Sequence, residues 1–524
     1  IYGFYKYYKA DDRQAYADVM ANINKRFGDL SLSANIGGSF TQTYYDERGF
    51  QGGLKDMSNV FSLYNMTTTL DKDTYPIESG YKQRTNSIFA SAEIGWKSML
   101  YMTLTGRNDW DSALINTEQS SFFYPSIGLS GVISEMVKLP KAITYLKVRG
   151  SFASVGAPIP KNLSSNKTYE WDPATSQWKL QTYRPLPKLY PERTNSWEAG
   201  LNAKFFNNSL SLEVTWYKAN TRKQTFQVPL SGTAVYATMY AQSGNIENKG
   251  MEFSLGYNKS WGDFSWNSNL TFSFNKNKIV ELLDDAVDDE GNHYSLSEID
   301  KGGIGSAKVI LRKGGSMGDM YVTNRLKRDN EGNVYIDKAS QNVKKEDIKN
   351  SDEFIHIGSV LPKSNLGFRN DFSYKGISLG FMLAARFGGI VISPTQAVMD
   401  QFGVSKVTAL ARDNEGVPVN NGKVDPQTYY TEVGGISGLM SNYVYSATNV
   451  RLQELSVGYS LPAKWFNNKC NLSLSITGHN LWMIYNKAPF DPEATASTGT
   501  YYQGVDYFMQ PSLRSWGFNV KIQF

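Results

Sequence analysis

The feature that most constrains this chain is a hydrophobic period of two, repeated in segment after segment. In Leu210-Ser-Leu-Glu-Val-Thr-Trp216, the residues Leu210, Leu212, Val214 and Trp216 alternate with Ser211, Glu213 and Thr215. Alternation of this kind puts every second side chain of an extended strand on the same face. From Phe264 to Asn275, one face carries Phe264, Trp266, Leu270, Phe272 and Phe274 and the other carries Ser265, Asn267, Asn269, Thr271, Ser273 and Asn275. The last segment alternates Trp516, Phe518, Val520, Ile522 and Phe524 with Ser515, Gly517, Asn519, Lys521 and Gln523. Similar segments cover 14–26, 29–43, 83–96, 98–109, 122–136, 144–155, 192–205, 249–259, 363–375, 376–388, 447–461 and 470–485. With the three above, this predicts about fifteen strands, each with one apolar and one polar face.

The connections between these segments fall into two lengths that alternate along the chain. Gly28-Asp29, Lys97-Ser98, Asn207-Asn208, Gly262-Asp263 and Lys375-Gly376 are very short, and Val137–Ile143 and Pro462–Lys469 are somewhat longer. The others, near 46–80, 110–121, 156–190, 226–247, 281–360, 389–446 and 487–510, are long. A soluble sandwich has no reason to gather its long loops at one end. An outer-membrane barrel does, with short periplasmic turns and long extracellular loops. A propeller would repeat about every 40–50 residues. The only repeat found, RDNEG at 328–332 and 412–416, lies in long loops and reads as a hairpin turn in both places. The expected fold is therefore all-β, a transmembrane antiparallel barrel.

Composition removes several other classes. A net charge of +5 over 524 residues is too dilute for a nucleic-acid partner. Cys470 is the only cysteine and His293, His356 and His479 lie far apart, which excludes an intrachain disulfide and argues against cysteine–histidine metal centres. No uncharged, predominantly apolar run reaches the roughly 18 residues of a transmembrane helix. The opening IYGFYKYYKADDR does not read as a signal peptide. Neither point bears on a barrel, whose strands leave no hydropathy peak.

In a barrel the apolar face meets lipid, and Trp96, Tyr101, Trp197, Tyr217, Trp261, Tyr257 and Tyr459 are expected to form the interfacial aromatic girdles. The polar face points to the lumen. It is expected to carry Glu93, Arg107, Asp109, Lys147, Arg149, Glu198, Glu213, Glu252, Arg369, Asp371, Arg386 and Glu454, candidates for the wall of a hydrated substrate path. Fifteen is odd, whereas single-chain bacterial barrels have even strand numbers. An open sheet would also leave two unpaired edges in the bilayer. The expectation is thus that residue 1 is not the functional start, and that about seven further strands complete a 22-stranded, plugged barrel.

Several runs then resemble a known family. NVRLQELSVGYSLP (449–462), LSLSITGHNLWMI (472–484) and FDPEA (490–494), ending in a strand closed by Phe524, resemble the C-terminus of SusC/RagA-type TonB-dependent transporters. Upstream, TLTGRNDWDSAL (103–114), FFYPSIGLSGVISE (122–135), LKVRGSFASVG (146–156), PERTNSWEAGLNAKFFNNSLSLEVTWYKANT (191–221) and NIENKGMEFSLGY (245–257) agree in order and spacing. The resemblance implies a Bacteroidetes outer-membrane importer of glycan oligomers or oligopeptides. It also implies an N-terminal plug and TonB box, both absent from residues 1–524, that link it to the TonB complex, and a SusD-like surface lipoprotein as lid.

Other candidate chemistry is weaker. Asp109, Asp111 and Glu118 could be read as glycosidase carboxylates, but at a strand's outer end they fit contact with plug, substrate or partner better. Asp284, Asp285, Asp288, Asp289 and Glu290 offer oxygen ligands for a structural calcium ion but lack EF-hand spacing; no other cofactor is expected. Gly302-Gly303-Ile-Gly305 and Gly314-Gly315 do not match a phosphate loop. Trp110, Trp171, Trp178, Tyr183, Tyr236, Tyr240, Tyr429, Tyr430, Tyr501 and Tyr502 are loop aromatics suited to stacking on sugars or to packing the loops together. The functional expectation is TonB-dependent import rather than enzyme catalysis. The rival readings are an unlidded transporter or porin, and a soluble β-rich glycan-binding protein.

Overall fold

The computed structural model describes residues 3–67, 74–115, 117, 119–159, 163, 169–172, 177–180, 183–184, 190–229, 238–287, 293–467, 469–499 and 503–524. One antiparallel sheet holds fifteen strands side by side in sequence order. They are β1 (Phe4–Phe27), β2 (Leu30–Gly53), β3 (Tyr75–Trp96), β4 (Leu100–Asp111), β5 (Ser121–Val132), β6 (Ile143–Ala157), β7 (Glu192–Phe205) and β8 (Leu210–Pro229), then β9 (Thr238–Trp261), β10 (Phe264–Glu281), β11 (Ser364–Tyr374), β12 (Ile377–Phe387), β13 (Asn449–Ser460), β14 (Asn471–Asn486) and β15 (Ser515–Gln523). The two-residue strand Tyr183–Arg184 joins off this path, parallel to β9.

Because sequential neighbours are antiparallel, the connections sort by end. At one end the pairs β1–β2, β3–β4, β5–β6, β7–β8, β9–β10, β11–β12 and β13–β14 adjoin; at the other the chain leaves β2, β4, β6, β8, β10, β12 and β14 for its longer connections, such as 282–363, 388–448 and 487–514. The tight turns use left-handed backbone, with φ of 50° and 56° at Lys97 and Ser98 and 59° at Gly262. A bilayer needs strands of only about 9–11 residues, and β11, β12 and β15 are 11, 11 and 9 residues long. In contrast β1, β2 and β9 each run for 24. Neighbours share the short turns, so the surplus length all rises at the long-connection end.

The structure corrects some sequence expectations. Strands β1 and β2 extend well past 14–26 and 29–43, where alternation fades but cross-strand aromatic pairs hold the ribbon: Tyr5–Phe50 at 5.6 Å and Tyr45–Tyr81 at 5.6 Å. The segment 122–136 stops as a strand at Val132, and Ile133–Met136 forms one helical turn, α1, closed by the Val137 amide on the Ile133 carbonyl at 3.1 Å. Tyr101 and Tyr217 are not girdle residues. Tyr101 shares its face with Thr103 and Arg107, and Tyr217 sits opposite Glu198 and Gly250 with its hydroxyl 3.1 Å from Asn275 Oδ1. A one-residue offset moves a side chain to the other face.

The wall has little hydrophobic core of its own, and its large apolar side chains, such as Val19 at 81% and Trp197 at 58% exposure, point outward. The principal core lies in the long connections. Segment 282–363 folds into a four-stranded sheet of Glu298–Ile304, Ala307–Arg312, Asp319–Val322 and Ile355–Ser359. Segment 388–448 supplies helices α2 (Pro394–Gln401), α3 (Lys406–Asp413) and α4 (Pro426–Val433), N-capped by Ser393, Ser405 and Asp425. Val309, Leu311, Met320 and Val322 from the first segment pack with Ile392, Ala397, Met440 and Tyr443 from the second, and with Phe226, Ile246 and Ile279 from the tops of β8–β10. The two connections therefore form one roof.

The first RDNEG copy is the expected hairpin turn, with Asp329 accepting the amides of Glu331 and Asn333 at 3.0 and 2.9 Å. These backbone donors, that of Asn333 first, hold the Asp329 carboxyl below its ordinary pKa. The second copy is not a hairpin turn: its Arg412 and Asp413 are the last residues of α3, because Ser405 has already started a helix there.

Gly305 joins the two halves of the roof. Its φ is +57°, and a Cβ there would lie 1.8 Å from the Ile436 carbonyl oxygen. Beside it, the Ser306 hydroxyl donates to the Gly438 carbonyl at 3.1 Å. Gly305→Ala must push 434–438 off the hairpin. Amide exchange by mass spectrometry is expected to accelerate across 299–311 and 434–440 while β11 and β12 stay protected. Unchanged exchange in the roof would refute this.

Candidate functional site

The twelve charged residues singled out from the sequence all lie on wall strands: Glu93 on β3, Arg107 and Asp109 on β4, Lys147 and Arg149 on β6, Glu198 on β7, Glu213 on β8, Glu252 on β9, Arg369 and Asp371 on β11, Arg386 on β12 and Glu454 on β13. Directly paired residues share a face, and such rows connect them. One runs Arg149, Gly200, Thr215, Glu252 across β6–β9, and continues through Ser273 and Asn365 to Arg386.

The wall gathers most of these charges into three groups. On β4, Arg107 Nε donates to Asp109 Oδ1 at 2.7 Å and its Nη2 to Ser87 Oγ at 2.7 Å, while the Tyr124 hydroxyl donates to the other Asp109 oxygen. In the middle, Arg149 bonds Asn202 on β7 at 3.1 Å and reaches over that strand to Glu213 at 2.9 Å and Thr215 at 2.7 Å on β8. Gly200 makes this reach possible, since a Cβ there would lie 2.6 Å from Arg149 Nε. Glu198, Glu213 and Glu252 join Arg149 in lining a cavity of about 550 Å³ on the polar face. Among the described residues Glu198 and Glu252 form no ion pair, so the cavity is acidic. Farther round, Arg369 pairs with Asp371 at 2.9 Å and Glu454 at 3.3 Å, and His479 lies 4.0 Å from Glu454. Glu93 and Lys147 stand outside these groups, opposite Thr103 and Asn202 respectively. Arg386 turns instead to the roof, donating to the Val360 carbonyl at 3.1 Å.

The carboxylates once readable as catalytic are committed to structure. Asp109 is held as above, and Asp111 accepts from Thr85, Gln83 and the Ala113 amide at 2.6, 3.1 and 2.8 Å. Glu118 lies outside the described residues. Of the calcium candidates, Asp284 and Asp285 fall in a strand, Leu283–Val287, while Asp288, Asp289 and Glu290 lie outside the described residues. Among the described residues no group of three or more His, Cys, Asp or Glu is placed to hold a metal ion.

The aromatic candidates separate. Trp110 is a strand residue of β4, on the outward register of Leu100 and Leu104 rather than in a loop. Trp171 and Trp178 are register partners in a small hairpin, with Trp178 exposed. Tyr429 packs against Val343, Val433 and Leu439 inside the roof and meets Tyr430 edge-on at 5.1 Å; burial pushes its hydroxyl pKa up. Tyr236, Tyr501 and Tyr502 lie outside the described residues.

The sequence reading missed the clamp at the rim. Arg451, 4% exposed on β13, pairs with Asp491 at 2.9 Å and Glu493 at 3.2 Å in connection 487–514. Ser512 donates to Asp491 at 2.5 Å. Burial raises the Asp491 pKa, but Ser512, the Glu493 amide and Arg451 outweigh it and hold the carboxyl below its usual value. The available signal was the FDPEA run, with two acids two positions apart.

Comparison with known proteins places this geometry. Residues 2–309 match the model of the "TonB dependent receptor-like, beta-barrel" family. TonB-dependent receptor P3 of Formosa agariphila is 26% identical over 541 residues, covering 96% of this chain and 51% of that protein. TonB-dependent receptor SusC of Bacteroides thetaiotaomicron is 22% identical over 479 residues, covering 85% of this chain and 44% of that protein. The chain thus spans about half the length of the curated relatives it matches. Among solved structures, the RagAB peptide importer in its open-open state superposes with a TM-score of 0.73 at 17% identity, over 98% of this chain and 54% of that one. At that identity the likeness shows the fold alone.

Two outcomes are expected. In Gly200→Ala, a crystal structure should show the Arg149–Glu213 distance opened beyond the present 2.9 Å; an unmoved Arg149 would contradict the role given to Gly200. In Asp491→Asn the buried Arg451 loses its main partner, a loss costing toward the lower end of about 3–5 kcal/mol because Glu493 remains. The native carboxyl pKa is depressed, so its contribution is present above the unfolded value of about 3.9 and is lost as pH falls through the folded value. Amide protection of 487–499 should therefore drop below about pH 4 in the wild type, and at neutral pH in the variant. Protection indifferent to both would refute the clamp.

Proposed function

Since the chain belongs to the TonB dependent receptor-like β-barrel family, we propose that it forms the wall and outer roof of an active importer of large nutrients, glycan oligomers or oligopeptides. Its place is the bacterial outer membrane. The proposed cycle uses a plug in the lumen, the TonB complex as its energy source, and a SusD-like surface lipoprotein as its lid. The long connections are then extracellular, and the polar face lines the path.

The observation that carries this reading is the charged polar face beneath a folded roof. A path for hydrated solutes needs polar groups that are wet and mixed in sign, and the Arg149–Glu213 cavity and the Arg369 group supply them. The opposite face is apolar and meets lipid. A soluble glycan-binding protein has no use for outward Val19, Leu129, Trp197 and Phe518 on one continuous sheet.

The lid is favoured over an unlidded transporter by two ordered apolar patches at the long-connection end. Phe402, at 74% exposure, stands with Val404, Val407 and Leu410 about the start of α3. The tip after β2 exposes Met57, Phe61, Leu63 and Tyr64, the last at 99%. That tip is rigid by construction, because the buried Asn65 side chain bonds the amides of Asp56 and Met57 and the carbonyls of Met57 and Val60.

The test is purification of the full-length protein from membranes in mild detergent, with mass spectrometry of what accompanies it. A stoichiometric surface lipoprotein is expected. Its recovery should fall at least fivefold in Phe402→Ser/Leu410→Ser, whose side chains are exposed and whose loss leaves the roof core intact. Deleting 389–446 is a poorer test, because it removes Ile392, Ala397, Met440 and Tyr443 from the shared core. A lone membrane protein would overturn the lid, and recovery from the soluble fraction would overturn the barrel importer itself.

A further inference from the structure

We propose that the outward face of the wall carries a binding site for one anionic glycerophospholipid of the inner leaflet, in a hollow at the short-turn end of β3–β6. This rests on the reading above, in which the outward face meets lipid and the short turns face the periplasm.

The hollow measures about 610 Å³. It exists because two outward positions on adjacent strands have no side chain. Gly131 on β5 sits opposite Val148, and Gly150 on β6 sits opposite Leu129. The outward side chains of Trp96, Leu100, Leu129 and Val148 stand around the gap, and Ile133 and Met136 of α1 close its turn-side edge. Tyr101, Ser130 and Arg149 border it only from strands whose register turns their side chains to the other face. An apolar recess of this size, open to hydrocarbon, is filled by an acyl chain, since an unfilled one forfeits dispersion contacts on every wall.

The charge around the recess selects the headgroup. Lys97 follows Trp96 in the β3–β4 turn, its ammonium 5.0 Å from the indole centroid and 3.6 Å from Asp29. Lys138 and Lys141 follow α1 by two and five residues and are exposed. Against these three cations stand Asp29 and Glu135. The rim is therefore net positive at the depth where lipid phosphates lie, an arrangement that attracts anionic headgroups. Trp96 holds the interfacial level between the cations and the recess.

The test uses the full-length protein in nanodiscs of equal phosphatidylglycerol and phosphatidylethanolamine, released for native mass spectrometry. The wild type is expected to retain phosphatidylglycerol severalfold over phosphatidylethanolamine. Gly150→Leu fills the recess from outside without strain, since a Cβ at Gly150 would come no closer than 3.7 Å to its nearest neighbour, the Glu198 carbonyl oxygen. That variant should lose retained lipid at least fivefold. Lys97→Gln/Lys138→Gln/Lys141→Gln should keep a bound lipid but lose the preference. Equal retention of both lipids by the wild type, or enrichment unchanged in Gly150→Leu, would overturn the site. So would a dimer that Gly150→Leu dissociates, which would give the recess to a second copy of the chain. Membrane extraction and the accompanying lipoprotein report on the importer reading separately, because none of these substitutions touches the polar face or the roof.

Discussion

Everything in this molecule depends on the ladder of backbone hydrogen bonds that joins β1 to β15. Hydrocarbon offers no partner for an amide or a carbonyl, so a strand that crosses it must be paired on both sides. Side-by-side antiparallel order, one apolar face and tight turns at one end follow from that demand. The ladder also defines where pairing stops, at the outer edges of β1 and β15 in the described sheet. In a bilayer such edges require partners.

The hydrophobic effect is divided between two places. In the wall, outward residues such as Val19, Ile36 and Val520 are exposed and find their apolar surroundings in lipid, so they add little packing among themselves. In the roof, Val309, Met320, Ile392 and Met440 are fully buried against one another. Damage in the roof opens a conventional core, whereas most changes on the outward face alter only what the lipid touches. The roof can therefore carry recognition surfaces without disturbing the ladder below.

The alternation made the wall legible from residues alone. Leu210–Trp216 and Phe264–Asn275 become strands in the register their pattern demands, and each expected wall segment corresponds to a strand. The outer halves of β1 and β2 were not legible, because outside the bilayer one face no longer has to be apolar. Composition misled where an aromatic was taken for a girdle residue against its parity: Tyr101 and Tyr217 are on the polar face by simple counting. The two RDNEG copies show the limit of local pattern, since a capped helix upstream decides the second one. For the candidate site, parity was enough to put the charges on one face of the sheet. Their pairings were not readable, because Arg149 meets Glu213 across 64 positions and Arg369 meets Glu454 across 85, which only strand order and register bring together.

The pairings differ in how firmly they hold, and that difference bears on the import proposed above. Arg451 and Asp491 are buried at the rim, so separating them leaves a stranded charge and the clamp stays shut. Arg107 and Asp109 are half sheltered, with Tyr124 as a third partner. Arg149 and Glu213 are both well exposed to water, where an ion pair is worth little and exchanges readily. In the importer proposed above, the path runs from a fixed outer frame to a cavity whose charges can change partners. Under that proposal a passing solute displaces one weak pair there at small cost and is released just as easily, which is what conduction along a wall of charges requires.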